Sequence, residues 1–93
     1  MEIKNKHNER EGTFYMEEQG KTLATMTYRF SGPGKIIIDH TEVREGNEGK
    51  GLGKLLVKAA VDFARENQYK IVPLCPYAKS VFDKTDAYKD VLF

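Results

Sequence analysis

The sequence predicts an α+β domain built on a mostly antiparallel sheet, with one right-handed strand–helix–strand crossover, a long helix after a glycine-rich loop and a short C-terminal helix. Three observations support this fold class. Segments rich in β-forming residues alternate with turn residues over the first 43 positions. A loop with four glycines in eight residues then enters a segment of helical periodicity. A short apolar segment follows that helix, as a crossover requires.

The first part of the chain predicts strands joined by short turns. Thr13–Glu17 alternates and is rich in β-formers, and Glu18–Lys21 indicates a hairpin turn in which glycine supplies the unusual φ. Thr22–Phe30 follows as the second strand of a meander, and Ser31–Gly34 indicates the next turn. A separate short strand is predicted to begin at Ile3, within an otherwise polar segment.

The third strand of the meander is predicted at Lys35–Val43. Its run of three isoleucines is typical of a strand that is covered on both faces, which indicates a central position in the sheet. Strict alternation of side chains along the strand predicts the composition of its two faces. One face carries Ile36, Ile38, His40 and Glu42, and the other carries Ile37, Asp39, Thr41 and Val43.

The longest predicted helix follows the glycine loop. Apolar residues recur at intervals of three and four, which marks one face of a 3.6-residue period. These residues are Leu52, Leu55, Leu56, Ala59, Ala60, Phe63 and Ala64. The pattern ends at Glu66–Gln68, and Tyr69–Leu74 then predicts a short strand parallel to Lys35–Val43. Pro73 lacks an N–H group, so the ladder is expected to be interrupted near it.

One more helix and a tail are predicted at the C-terminal end. Cys75 and Pro76 break the chain, and Tyr77–Lys84 can form a short helix. Ala87–Phe93 is apolar enough to dock on the body of the protein, as a turn or as a last short strand.

Length and composition restrict the classes of function. Residues 1–93 are predicted to form one small domain. The 15 basic and 14 acidic residues give a formal net charge of +1, which offers no electrostatic case for nucleic-acid binding. No apolar run approaches the ~18 residues that span a bilayer and no signal-like region is visible, so we expect a cytoplasmic protein without a membrane partner. Cys75, the single cysteine, cannot form an internal disulfide, and no Cys/His spacing indicates a metal site.

A glycine-rich loop at the start of a helix has a physical use. The first N–H groups of a helix lack intrahelical partners and carry partial positive charge, so they suit a phosphate. Lys50 and Lys54 would add positive charge beside it. The P-loop pattern fails because Leu52-Gly53 stands where Lys-Ser or Lys-Thr is required, and the dinucleotide pattern fails because Lys54 replaces its third glycine. The alternative interpretation is a flexible loop that only begins a helix.

The loop resembles the acyl-CoA-binding motif of the GNAT acetyltransferase superfamily. That motif is Gln or Arg, two residues, Gly, any residue, Gly or Ala, and then an amphipathic helix. Glu48 to Gly53 matches both glycines and departs only at Glu48. The order of elements over Thr13–Lys84 is also that of the central part of the GNAT fold. More narrowly, Asp39–Val43, the loop and Val72–Tyr77 resemble the short stand-alone GNAT-like proteins.

The resemblance implies a binding site for acetyl-CoA. In the GNAT fold the central strand and the strand after the long helix diverge in a V that receives the pantetheine arm, with the thioester near Cys75. The residues that the resemblance implies for the cofactor are Thr41, Glu42, Val43, Glu48, Gly49, Lys50, Gly51, Leu52, Gly53, Lys54, Cys75 and Tyr77.

The resemblance also supplies catalytic candidates. Many GNAT enzymes protonate the departing CoA thiolate with a tyrosine, but Phe82 stands at that place here, so the usual acid is missing unless Tyr77 or Tyr88 substitutes. Cys75 is the alternative, as a nucleophile that would hold the acetyl group. His40, on the neighbouring strand, is the candidate base that would activate this thiol. The alternative is that each residue is only structural, with Cys75 as a small buried side chain and His40 as a core or surface side chain whose hydrogen bonds are satisfied.

Three functions are compatible with these residues. The first is an N-acetyltransferase that transfers acetyl from acetyl-CoA to an unidentified amine, either by direct attack or through acetyl-Cys75. The second is a non-catalytic acyl-CoA-binding protein or sensor, favoured by the absent tyrosine and by Glu48. The third is a protein–protein module that retains only the fold, which the helix-starting glycines disfavour because they cost stability. A monomer or a weak homodimer is expected.

Overall fold

Five strands form one sheet in the computed structural model, which describes residues 2–93. The strands lie side by side in chain order, β1-β2-β3-β4-β5, and only the β4–β5 pair is parallel. The elements are β1 (Ile3–His7), β2 (Glu11–Glu18), β3 (Lys21–Phe30), β4 (Lys35–Val43), α1 (Leu52–Asn67), β5 (Lys70–Pro73), α2 (Pro76–Lys84) and a 3₁₀ helix (Asp86–Val91). The predicted fold class is confirmed, and β4 has the predicted limits.

Strand β4 contains a bulge that the sequence analysis did not anticipate. Tyr28 of β3 lies opposite Ile38, whereas Thr27 lies opposite His40, so Asp39 is an extra residue in β4. The extra residue reverses the alternation of side chains beyond it. The predicted faces are therefore wrong after Asp39. Thr41 shares the helix-covered face with the two buried isoleucines, Ile36 and Ile38, and Val43 also packs against the core there.

The bulge places His40 and Glu42 on the opposite face of the sheet. Both residues are exposed, and they lie opposite Thr27 and Thr25 of β3. None of the described residues that share this face is buried, so the expectation that β4 is covered on both faces is also wrong. Ile37 is only half-buried, because it lies beside Arg29 and Val72 of the adjacent strands and beneath no helix.

The buried face of α1 is rotated relative to the predicted one. Leu55 is 44% exposed, whereas Val57 and Val61 are fully buried. The reason is that α1 packs against the sheet on one side and against α2 and the 3₁₀ helix on another, so its buried stripe is wider than a single sheet contact requires. The buried residues of α1 are Leu52, Gly53, Leu56, Val57, Ala60, Val61 and Ala64.

Strands β4 and β5 diverge where the sequence analysis expected a V. Their pairing ends at Ile38 and Pro73, and the Ile38 carbonyl accepts hydrogen bonds from the N–H groups of both Leu74 and Cys75, each at 3.0 Å. Beyond this point β4 continues to Val43, whereas the other chain segment turns into α2. The result is an opening between the second half of β4 and the start of α2.

The tail closes the free edge of β5. Leu92 forms a parallel bridge to Ile71, and the Phe93 N–H donates to the Ile71 carbonyl at 2.9 Å. Arg65 of α1 holds the 3₁₀ helix through a two-point ion pair with Asp90, at 2.9 and 3.0 Å. Over residues 2–93, no helix is long and apolar enough to cross a membrane.

Candidate active site

The glycine loop leads into a helix, α1, whose first-turn N–H groups have no capping side chain within residues 2–93. Gly46, Gly49 and Gly51 have φ values of +90°, +81° and +75°, which side chains other than glycine rarely adopt. Gly51 caps α1, and its carbonyl accepts the first helical bond from the Leu55 N–H at 3.2 Å. No described side chain caps this end. The N–H groups of the first turn, from Leu52 to Lys54, are therefore free to bind an anion.

Glu48 turns back into the loop. Its carboxylate accepts a hydrogen bond from the Gly46 N–H, at 2.9 Å to Oε2 and 3.2 Å to Oε1. Lys50 is likewise occupied locally, because its Nζ donates to Asn47 Oδ1 at 3.2 Å. The acidic residue that departs from the family motif thus binds one of the loop's own donors, at the end of the loop farther from α1.

A groove of about 430 Å³ runs between the loop, the end of β4 and Tyr77 of α2. It brings together eight of the twelve residues predicted for the cofactor. These are Val43, Glu48, Gly49, Gly51, Leu52, Gly53, Lys54 and Tyr77. Thr41 and Cys75 contact each other in the opening between β4 and α2. Glu42 lies on the other face of the sheet and lines a separate depression with Thr25 and Arg44.

Tyr77 closes one wall of this groove by packing on a glycine. A Cβ atom added to Gly53 would lie 2.6 Å from Cε2 of the Tyr77 ring and 2.7 Å from its hydroxyl oxygen. Real Cβ atoms do not approach other atoms this closely, so only glycine permits the contact. Gly53 therefore serves the packing of α2 on α1 in addition to the approach of a ligand.

Cys75 lies where donors from β4 and α2 converge. Its Sγ is 3.4 Å from Thr41 Oγ1, and the residue is 6% exposed. Burial is the largest single effect on the thiol and opposes its ionisation. The thiol donates to Thr41 Oγ1, whereas a thiolate would accept from that hydroxyl and from the backbone N–H groups of Ala78, Tyr77 and Thr41. The hydrogen bonds to the thiolate together outweigh burial, so the pKa of Cys75 is lowered.

The Tyr77 hydroxyl is held in its neutral form. Burial raises the pKa of Tyr77, and the negative charge of a Cys75 thiolate raises it further. A phenol keeps its proton at neutral pH, so Tyr77 can serve as a proton source, and the raised pKa makes it a weaker acid than a free tyrosine. Phe82, at the position of the family's usual tyrosine, is 2% exposed and packs in the core against Tyr88.

The structure does not bring His40 to Cys75. Adjacent residues of a strand point to opposite faces, and it is Thr41 that reaches the sulfur. The bulge residue beside His40 is fixed on the exposed face, because Asp39 accepts hydrogen bonds from the Thr27 hydroxyl and from Arg29 Nε, the latter at 3.2 Å. Thr41 was predicted to lie near the cofactor but not to be the partner of Cys75. The signal available in the sequence was Asp39, because a charged residue directly after the buried isoleucines indicates that the alternation of the strand is interrupted there.

Two further observations delimit the site. Within the described part of the chain, no group of three or more His, Cys, Asp or Glu side chains could hold a metal ion. A larger concavity than the groove, about 1110 Å³, lies at the other end of the sheet between the turns near Asn8 and Pro33. It is a wide depression with no residue of the candidate site, so its size does not make it the reaction centre.

Comparisons with known sequences agree with the geometry. A family model described as GCN5-related N-acetyl-transferase matches residues 13–91. Protein NATD1 of Homo sapiens is 33% identical over 76 residues, which are 81% of this chain and 67% of the human protein. Protein NATD1 of Xenopus tropicalis is 37% identical over 54 residues, 58% of this chain and 50% of that protein. The chain thus spans about half to two thirds of the length of these relatives.

Solved structures share the fold. The solution structure of a GCN5-like protein from Staphylococcus aureus superposes with a TM-score of 0.78 at 43% identity, over 99% of this chain and 87% of that one. A Bacillus subtilis acetyltransferase solved in complex with CoA has a TM-score of 0.66 at 21% identity, over 82% and 53% of the two chains. The second likeness concerns the fold alone.

Proposed function

The chain belongs to the GCN5-related N-acetyltransferase family, and from this premise we propose that it binds acetyl-CoA and transfers the acetyl group to an amine. The observation that carries the proposal is that one groove joins a potential phosphate site to a potential reaction centre. Uncapped N–H groups at the start of α1 line a groove that runs past Tyr77, whose neighbour Cys75 has a lowered pKa. The Bacillus subtilis acetyltransferase that shares this fold was solved in complex with CoA, which supports the choice of ligand.

The residues of the groove fit the parts of acetyl-CoA in order. The N–H groups of Leu52–Lys54 would hold the diphosphate, and Glu48 does not compete for them because its carboxylate is bonded to Gly46. Arg44 donates its N–H to Leu23 of β3 at 2.8 Å. Because backbone groups alternate along a strand, the N–H and C=O groups of Val43 and the C=O group of Thr41 face the opening left by β5 and would pair with the amides of the pantetheine arm. The Thr41 N–H is directed at the Cys75 sulfur instead.

Cys75 is the proposed nucleophile. Its thiolate would attack the thioester carbonyl, so that a new C–S bond to Cys75 forms as the bond to the CoA sulfur breaks. The Tyr77 hydroxyl is the proposed proton donor to the departing CoA thiolate. An amine would then attack the acetyl group on Cys75 and release the thiolate. Direct attack of the amine on acetyl-CoA is the other route, and it does not need Cys75 as a nucleophile.

His40 is a proposed base for the acceptor rather than for the thiol. It is exposed on the helix-free face, beside the bulge at which β4 and β5 part. The opposite face is covered by α1 and α2, so the acceptor amine would approach from the side of His40. A neutral imidazole there would remove the proton that the amine must lose.

The alternative function is an acyl-CoA-binding protein without turnover. The specific observation in its favour is that Phe82, which occupies the place of the family's usual acid, is buried and has no proton to give. The Tyr77→Phe variant helps to distinguish the two functions. If this variant still binds CoA but no longer transfers acetyl, the protein is an enzyme that uses Tyr77 as its acid.

The proposal is tested by intact-protein mass spectrometry after incubation with acetyl-CoA, together with CoA release on a panel of amines. We expect a single acetyl group mapped to Cys75, its loss in Cys75→Ala and its discharge by the acceptor amine. Cys75→Ala acting at the wild-type rate would support direct transfer. Binding without an adduct and without release would support the sensor, and no binding would refute the proposal.

A further inference from the structure

The concavity of about 1110 Å³ at the other end of the sheet has its own set of lining side chains. It lies where β4 begins and α1 ends, whereas the groove at the glycine loop lies where β4 ends and α1 begins. The two cavities share no lining residue. Its volume is close to the roughly 300–1,000 Å³ of pockets that bind small molecules. A ligand at this end would therefore be distinct from the proposed acetyl-CoA.

Three aromatic rings line this distal concavity, and neighbouring rings are nearly perpendicular. The centroids of His7 and Phe30 are 5.8 Å apart at an interplanar angle of 70°, and those of Phe30 and Tyr69 are 5.8 Å apart at 72°. Phe63 of α1 packs against both His7 and Tyr69, with centroids at 5.8 and 5.6 Å, and so supports these rings. Rings that meet at such angles can contact one group from several sides, which is how aromatic cages recognise quaternary ammonium ions.

The charged side chains of the lining favour a cation. Glu9 and Glu11 supply two carboxylates against the single guanidinium of Arg10, so the lining carries one net negative charge with His7 neutral. All three side chains are exposed, and none forms an ion pair with another residue of the described range, 2–93. The carboxylates are therefore available to a positively charged ligand.

The end of α1 adds partial negative charge at the wall of the cavity. The last carbonyl groups of a helix lack intrahelical partners and together carry about half an elementary negative charge. A Cβ atom added to Gly34, which lines the cavity, would lie 4.0 Å from the carbonyl oxygen of Gln68, the residue directly after α1. Arg65, the basic residue in the last turn of α1, is paired with Asp90. The end of the helix therefore also favours a cation.

The turn that carries the carboxylates is already ordered. Asn8 Oδ1 accepts hydrogen bonds from the N–H groups of Arg10 and Glu11, at 2.8 and 3.0 Å. The Asn8 N–H donates to the Glu11 carbonyl at 2.9 Å, and the Phe30 N–H donates to the Arg10 carbonyl, also at 2.9 Å. These bonds attach the turn to β3 beside the rings, so a ligand need not order it on binding.

We propose that the distal concavity is a second ligand site, which binds a small organic ammonium ion that carries methyl groups on its nitrogen. The methyl groups would lie against the rings of His7, Phe30 and Tyr69, and the positive charge would be balanced by Glu9 and Glu11. The inference goes beyond the proposed function and does not depend on it, because the two cavities share no residue. Its consequence is that such an ion binds without displacing acetyl-CoA.

The test is a titration of the ¹⁵N-labelled full chain with choline, followed by amide chemical shifts. The comparison ligand is 3,3-dimethylbutan-1-ol, which has the shape of choline with carbon in place of the charged nitrogen, and sodium chloride at equal concentration controls for ionic strength. We expect saturable changes at the amides of Asn8, Gly32, Gly34 and Tyr69, and an affinity for choline about five- to tenfold higher than for the alcohol.

Two variants separate the contributions of charge and rings. Glu9→Gln combined with Glu11→Gln should weaken choline roughly two- to fivefold and leave the alcohol unchanged, because exposed charges interact modestly. Glu18→Gln, at the other end of β2, is the matched control and should bind choline like wild type. Phe30→Leu keeps an apolar side chain and should weaken choline more than the alcohol. The glutamine variant retains every ring, so it tests the inference even if Phe30→Leu does not fold.

Equal affinities for choline and the alcohol would overturn the inference, because the site would then not recognise charge. Shifts that sodium chloride reproduces, or shifts that appear at the glycine loop instead, would overturn it as well. Much tighter binding of a peptide that contains trimethyllysine would overturn a free small molecule as the occupant. Each of these results would leave the proposed acetyl-CoA site untouched.

Discussion

Thr41 is the residue on which the state of Cys75 depends. Its hydroxyl and its N–H group both reach the sulfur, from a strand that lies far from Cys75 in sequence. These donors favour the thiolate, whereas burial favours the thiol. The pKa of Cys75 therefore depends on a balance between burial and these hydrogen bonds, and the loss of one side chain can shift it.

Thr41→Val should raise the pKa of Cys75, because burial remains and one donor is lost. A thiol with a higher pKa is less ionised at neutral pH, so we expect iodoacetamide to alkylate Cys75 roughly two- to tenfold more slowly at pH 7, from the ~0.5–1.5 kcal/mol of one hydrogen bond. The inflection of the rate against pH should move to higher pH. Thr41→Ser is the control and should behave like wild type. An unchanged inflection in Thr41→Val would show that the hydroxyl does not stabilise the thiolate.

His40→Gln should separate the two proposed steps. Since His40 lies on the face opposite Thr41, its removal should leave the alkylation profile and the acetyl adduct of Cys75 unchanged. Transfer to an amine should slow by roughly 10²–10⁴-fold if His40 is the base. Rates of both steps can be followed by mass spectrometry in one time course. Slower formation of the adduct in His40→Gln would contradict the assignment of faces.

At the scale of elements, the bulge at Asp39 explains why the predicted pairing of His40 with Cys75 is not formed. The limits of β4 follow from its β-forming residues and flanking glycines, but alternation assumes an unbroken ladder. The extra residue is anchored by Thr27 and Arg29 of β3, and no local pattern in β4 specifies that contact. The loop and the start of α1 were predictable, because glycine spacing and helical periodicity are local properties.

The packing of α2 on α1 is also a long-range property. The contact of Tyr77 with Gly53 joins residues that only the crossover brings together, which is why sequence analysis grouped Gly53 with the ligand alone. The rotated face of α1 has the same origin. Leu55 fits the helical period, but the position of α2 and of the 3₁₀ helix makes Val57 and Val61 the buried residues.

A double-mutant cycle on Gly53 and Tyr77 tests this contact. Gly53→Ala should destabilise the wild type by about 1–3 kcal/mol, because the new methyl group meets the ring. In a Tyr77→Ala background the same change should stabilise by up to ~1 kcal/mol, since Ala favours a helix over Gly. Unfolding in urea measures both values. If Gly53→Ala changes the free energy of unfolding in the same direction in both backgrounds, the contact is refuted.

At the scale of the whole molecule, the proposed ligand touches β4, the loop, α1 and α2 at once. A ligand that binds only the folded chain stabilises it by about 2.7 kcal/mol at a concentration of 100 times its Kd. For a domain of 93 residues this corresponds to a rise in Tm of roughly 10–20 °C. Acetyl-CoA should produce this shift in a thermal melt, and adenosine alone should not. A melt that acetyl-CoA leaves unchanged would contradict simultaneous contact with these elements.

The most direct test of the acetyl-CoA site is a titration of the ¹⁵N-labelled chain with acetyl-CoA, followed by amide chemical shifts. We expect saturable changes at the amides of Thr41–Val43, of Gly49–Lys54, of Cys75 and of Tyr77, with little change near Asn8 and Pro33, where the concavity of about 1110 Å³ lies. Changes concentrated at that distal concavity, or no saturable change at all, would contradict it.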